Sequence, residues 1–157
     1  EPWIGDGDSS SNLFTGLAAL RLGRYRPQLS RLFHQPVTAN RSRRALMFLG
    51  ALYHDVAKPQ MRSVGQDGRV HFYRHDEQGE DVIAARAQAL ALSQDEVAYL
   101  RLLVRKHMRI HFLAKPDQSL NRRAIYRYFR DLGEIGVDIC LLSLADLYAT
   151  RGNQLSV

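Results

Sequence analysis

In the stretch LGALYHDVAKP, Leu49 to Pro59, His54 and Asp55 stand side by side at the end of a run that is otherwise apolar. A carboxylate taken out of water without a partner costs several kcal/mol, so something must meet Asp55. Three more polar residues fall on apolar stripes elsewhere: His75 shares a face with Gly79, Val82 and Ile83, His107 extends Leu100, Leu103 and Val104, and Asp146 lies on the stripe of Ile139, Leu142 and Ser143. One such residue would be a satisfied core histidine or a capped aspartate. Five in one small domain point to a shared partner, and a divalent cation is the partner that accepts both imidazole and carboxylate.

Mixed His/Asp ligands differ from the closed, cysteine-rich sets of structural zinc sites, because they leave positions for water and substrate. A cation held this way lowers the pKa of its water and neutralises phosphoryl oxygens, which suits phosphate esters as substrates. Asp55 is then the residue on which catalysis depends. Lys58, one helical turn beyond His54, could reach a phosphate at the mouth of the site; as an alternative it is a solvated lysine offsetting the helix dipole.

These side chains need helices to carry them. Apolar residues recurring at i, i+3, i+4 and i+7 predict helices over Asn12–Leu22, Pro27–Phe33, Ser42–Val56, His75–Leu90, Ser93–Met108, Asn121–Leu132 and Gly136–Thr150. Only Arg62 to Phe72 departs from this pattern, alternating around an Asp-Gly pair as a short β-hairpin would. The fold class expected is all-α, a helical bundle with one short hairpin. Residues 1–11, rich in Gly, Asp and Ser, are expected to form a leader or linker, 12–152 one domain, and 153–157 a tail, the whole being a piece of a longer chain.

At 157 residues, 45% hydrophobic and 24% charged, the chain has the composition of a soluble globular domain. A single cysteine, Cys140, excludes an internal disulfide and a thiolate zinc site and fits a reducing cytoplasm. No apolar run approaches the roughly 18 residues needed to span a bilayer. The net charge of +6 permits attraction to phosphate-rich partners. In NRRAIYRYFR, Arg122, Arg123, Arg127 and Arg130 are interleaved with Tyr126 and Tyr128, a mixture of charge and stacking surface suited to RNA; the alternative is a solvated helix whose tyrosines pack inward.

In order and spacing, LGALYHDVAKPQ, DGRVHFYRHDEQGEDV, LVRKHMR and NRRAIYRYFRDLGEIGVDICLLSLADLYATRG resemble the HD-domain superfamily. They look most like the HD domain that accompanies the catalytic head of bacterial CCA-adding tRNA nucleotidyltransferases and poly(A) polymerases. The resemblance covers about Asn12 to Gly152. It implies an HD-domain helical bundle with a divalent-metal site (Mg, Mn, Ni, Co or Zn) and, in many members, phosphohydrolase or phosphodiesterase activity. His54, Asp55 and Asp146 match the core ligands, while His75 and His107 match those that widen the site. It also implies partners: a phosphate-containing substrate, tRNA or other RNA, and a nucleotidyltransferase head domain.

Two departures weaken the expected metal affinity. Thr15 stands where such domains carry an upstream histidine, and Lys106 precedes His107 where another histidine is common; His34, in FHQP, could substitute. The site is either a weakened metal site or a relic whose polar residues pair with one another. Two functions follow: a metal-dependent phosphohydrolase acting on phosphate esters or nucleotide ends, or a non-catalytic module that supports a head domain and contacts RNA. The chain is not itself the nucleotidyltransferase, for it lacks a Gly-Ser loop followed by a strand with paired aspartates.

Overall fold

The computed structural model describes residues 9–39, 41–113 and 120–151, with side chains between residues 16 and 150. Residues 1–8 of the leader expected over 1–11, and the tail expected over 153–157, therefore lie outside the described residues, as does the side chain of Thr15. Among the described residues seven α-helices carry the fold: α1 Ser9–Gly23, α2 Arg26–His34, α3 Arg43–Tyr53, α4 His75–Ala89, α5 Gln94–Lys106, α6 Arg122–Leu132 and α7 Ile135–Arg151. The expected hairpin is present as β3 Ser63–Val64 against β4 Val70–His71. An all-α bundle with short two-residue to three-residue strands is the architecture the periodicity predicts.

Helix starts follow local chemistry. Ser42, Ser93 and Asn121 cap α3, α5 and α6, their side-chain oxygens accepting from Ala45, Glu96 and Ala124 amides. At Ser93 the Glu96 carboxylate reaches back to the cap amide, completing a capping box. Pro27 near the start of α2 needs no amide partner there.

Three boundaries differ from expectation by more than one residue. The first helix begins inside the serine run, at Ser9 rather than Asn12. The third stops at Tyr53, so His54 and Asp55 lie in the turns beyond it rather than within it. The fifth ends at Lys106 and continues as a 3₁₀ helix over His107–Phe112. A second small ribbon, β1 Pro36–Thr38 with β2 Arg41–Ser42, occupies what reads in sequence as a plain connection. Its register is held from outside: Thr38 Oγ1 donates to Glu96 at 2.7 Å and Arg41 pairs with the same carboxylate at 2.8 Å.

Helix α5 is the central element. Leu100 and Val104 on one face join Leu46, Ile83, Ala87 and Val97 in one core cluster; Leu103 on another joins Tyr128, Leu132, Ile135, Ile139 and Leu142. Each buried Leu, Ile or Val among them contributes about 1.5–3 kcal/mol by leaving water. Gly50 lets α3 approach: a Cβ there would run into Leu103 Cδ2. Arg43, at the start of α3, is buried against Asp138 of α7.

Candidate metal centre

Two helix ends and one helix start converge at one place. The turn around Ala91 makes α4 and α5 an antiparallel pair, so the first residue of α4, His75, lies beside His107, which follows the last residue of α5. Arg105 fastens this end through Asp76 and Glu77 of α4. His54 arrives at the C-terminus of α3, and Asp55 follows it into a turn closed by the Lys58 amide donating to the Asp55 carbonyl at 3.0 Å. Asp146 comes from α7. The C-terminal ends of α3 and α5 point partial negative charge into this space, which favours a cation.

The imidazoles share one hydrogen-bonding pattern. His54 Nδ1 lies 2.7 Å from the Ala51 carbonyl, His75 Nδ1 2.7 Å from that of Phe72, and His107 Nδ1 2.7 Å from that of Val104. A carbonyl oxygen only accepts, so each ring carries its hydrogen on Nδ1 and, when neutral, presents a lone pair at Nε2. Such backbone latches are the usual way a protein fixes a ligating histidine. For His54 and His107 the latch also satisfies a carbonyl in a final helical turn that has no intrahelical partner.

The three Nε2 atoms surround Asp55. His75 Nε2 and His107 Nε2 stand 3.3 Å and 3.5 Å from Oδ1, and His54 Nε2 stands 3.1 Å from Oδ2. Asp146 Oδ1 is 3.9 Å from His54 Nε2. Two overlapping donor sets result, Asp55 with His75 and His107, and His54 with Asp55 and Asp146, the donor atoms of each lying within 4.8 Å of one another. Asp55 belongs to both. Its Oδ1 and the His54 Nε2 are buried without a hydrogen-bond partner. Orphaned donors of this kind, in a mixed imidazole and carboxylate set, fit a divalent cation.

Burial alone would raise the Asp55 pKa, but its close contacts with His107 and His54 and the hydrogen bond from Lys58 outweigh it and hold the carboxyl far below the usual range. Burial likewise disfavours charge on His54; its contacts to Asp55 and the Ala51 carbonyl, with the charge of Asp146, outweigh that and raise it. Asp55 is thus an anion at any ordinary pH.

The structure brings together all five expected donors. Lys58 is closer than expected: its ammonium pairs with Asp55 Oδ2 directly and also lies 5.8 Å from the centre of the Phe72 ring. None of the described ion pairs at the site involves Lys106. His34 is elsewhere, exposed at the end of α2 with Nδ1 donating to the Ser30 carbonyl at 2.7 Å, so it does not stand in for an upstream ligand. Sequence reasoning missed the three carbonyl latches, though each carbonyl lies three residues before its histidine, the spacing of a helical turn. It also missed the buried Arg43–Asp138 pair.

The family model for the HD domain matches residues 14–150. The chain belongs to the HD-domain family. Over 105 residues the chain is 34% identical to a protein named CC-adding tRNA nucleotidyltransferase from Thermus thermophilus; the match takes in 66% of the chain and 23% of that relative. The chain therefore spans about a quarter of the length of the curated relative it matches.

The basic face of the HD domain lies on α6. Arg122, Arg123, Arg127 and Arg130 are all exposed, and so is Tyr126. Tyr128 corrects the expectation of an alternating stacking surface: it is buried, and its hydroxyl donates to the Gly136 carbonyl at 2.9 Å. Arg130 pairs with neighbouring Asp131, which also meets Arg109. Among the described residues no helix is long and apolar enough to cross a membrane.

Proposed function

We propose that this HD domain is a metal-dependent phosphohydrolase or phosphodiesterase acting on phosphate esters or nucleotide ends, 2′,3′-cyclic phosphates among them. The observation that carries this reading is the convergence of three latched imidazole Nε2 atoms on one ionised carboxylate whose Oδ1 has no hydrogen-bond partner. His54, Asp55 and Asp146 would hold one ion, and His75 and His107, with Asp55, would widen the site for a second metal or phosphate. A divalent cation such as Mg, Mn, Ni, Co or Zn supplies a water of lowered pKa and a counter-charge for phosphoryl oxygens. Asp55 keeps its negative charge throughout, and the Nδ1 latches keep the rings from turning. Lys58, half-exposed beside Asp55, would swing from that carboxylate to a substrate phosphate.

The test is hydrolysis of bis(p-nitrophenyl) phosphate and of 2′,3′-cyclic AMP with manganese, nickel or cobalt. Asp55→Ala abolishes turnover on this reading; activity that survives the change refutes it.

A second reading rests on a different observation, the likeness to a protein named as a tRNA nucleotidyltransferase together with the exposed arginines of α6. On it, the HD domain, over about residues 12–152, belongs to a longer cytoplasmic protein with a nucleotidyltransferase head and contacts RNA through Arg122, Arg123, Arg127 and Arg130. Changing Arg123 and Arg127 together to Ala then lowers the slope of log affinity for tRNA against log salt by roughly one to two. An unmoved slope returns these arginines to a solvated face.

A further inference from the structure

Between the 3₁₀ helix and α6 lies a cavity of about 200 Å³, lined by Arg109, Phe112, Leu113, Ala124, Arg127 and Tyr128. We propose that it receives one unpaired nucleotide of an RNA strand, the base stacking on Phe112 and the flanking phosphates meeting Arg109 and Arg127. The inference rests on the reading that α6 contacts RNA, and it names where and how.

The volume is below the roughly 300–1,000 Å³ of sites that enclose a whole small-molecule ligand, so the space suits one planar ring of something larger. Phe112 is 69% exposed, an aromatic side chain left in water at the rim. The far wall is fixed: Tyr128 is anchored through its hydroxyl to Gly136 and packs edge-on against Phe129. Charge at the rim is cationic. Asp131 is shared between Arg109 and Arg130, while among the described residues Arg127 makes no ion pair. An aromatic side chain sharing a cavity with two guanidinium groups suits a base and its flanking phosphates. A duplex is a poor fit, because stacking within it hides the faces of its bases, whereas splayed bases of a single strand are free to stack on an aromatic side chain.

The position links the cavity to the metal centre. His107 begins the 3₁₀ helix and Phe112 ends it, and at about 2.0 Å rise per residue they are about 10 Å apart along its axis. A strand seated on Phe112 therefore lies one helix length from the clustered donors.

The experiment is fluorescence anisotropy of the whole chain with a short labelled single-stranded oligoribonucleotide, its duplex and an acidic tyrosine-containing peptide, in chelator and with Asp55→Ala as well as the unaltered protein. Hydrolysis plays no part in these measurements, so failure of the phosphohydrolase reading leaves them intact. The single strand is expected to bind more tightly than the duplex. Phe112→Ala should weaken it about 5- to 150-fold, Phe112→Trp should retain it, and Arg127→Ala should lower the salt slope by about one. Equal binding of duplex, a Phe112→Ala change of less than about twofold, or Phe112-dependent binding of the peptide without binding of RNA would overturn the assignment. Circular dichroism of each variant separates these results from loss of fold.

Discussion

The Nε2 atoms of His75 and His107 stand 3.2 Å apart, and each ring has committed its Nδ1 hydrogen to a backbone carbonyl. As neutral rings they direct lone pairs at each other and at Asp55 Oδ1, an arrangement that repels unless a proton or a metal ion lies between them. Removing either ring by His75→Ala or His107→Ala should therefore lower affinity for cobalt or manganese by at least about tenfold, since losing even an outer partner of a ligand costs about 10–100-fold. Calorimetry with each ion measures it; affinity unchanged in both variants would place the ion elsewhere.

Lys58 competes with a cation for Asp55. Its ammonium occupies the Oδ2 side, and like charge disfavours a second cation nearby. Lys58→Met is expected to tighten metal binding by a few-fold, on the order of the 1 kcal/mol of a partly exposed pair, while slowing turnover of a phosphate ester. Weaker metal binding in this variant would mean that the lysine orients Asp55 rather than opposing the ion.

Arg43 holds a charge that the fold cannot leave alone. Its Nε donates to Asp138 Oδ2 at 2.8 Å, its Nη1 meets Glu134 at 3.0 Å, and Tyr99 donates to Asp138 at 2.8 Å; Asp138 is 0% exposed. Arg43→Ala strands that carboxylate and should cost about 3–5 kcal/mol in denaturant unfolding. Arg43→Lys should recover only part, since an ammonium does not reproduce the guanidinium fork. A loss of less than about 1 kcal/mol in Arg43→Ala would show that Tyr99 and water suffice.

Glu96 makes stability depend on acid. Burial would raise its pKa, but hydrogen bonds from Thr38, the Ser93 amide and Arg41 outweigh that and bring it from an ordinary 4.5 to about 2. A carboxyl depressed by folding adds stability that is fully present above its unfolded pKa and is lost as pH falls through the window from 4.5 towards 2. Unfolding midpoints in urea should accordingly drop between neutral pH and about pH 3, and Glu96→Gln should be less stable at neutral pH with a shallower drop. An identical acid dependence in both proteins would assign the effect to other carboxylates.

Much of this was legible in the sequence, and for identifiable reasons. Helical periodicity predicted seven helices because a buried helix face must repeat near 3.6 residues, and Asp67-Gly68 marked the hairpin because a turn there favours a positive φ, which Gly68 adopts at 76°. The five polar residues on apolar faces were conspicuous because burial without a partner is costly. Their meeting place was partly readable too: His75 and His107 are equidistant in sequence from Ala91, so an antiparallel pair of helices turning there brings them together. Tertiary structure alone decided the rest. That α3 stops at Tyr53, that Asp55 turns Oδ1 to His75 and His107 and Oδ2 to His54, and that Lys58 turns onto Asp55 are not written in the apolar periodicity of any one helix. The burial of Tyr128 depends on α7 supplying the Gly136 carbonyl. Local sequence sets which face of a helix is apolar, whereas the partner of each polar atom is set by elements distant in the chain.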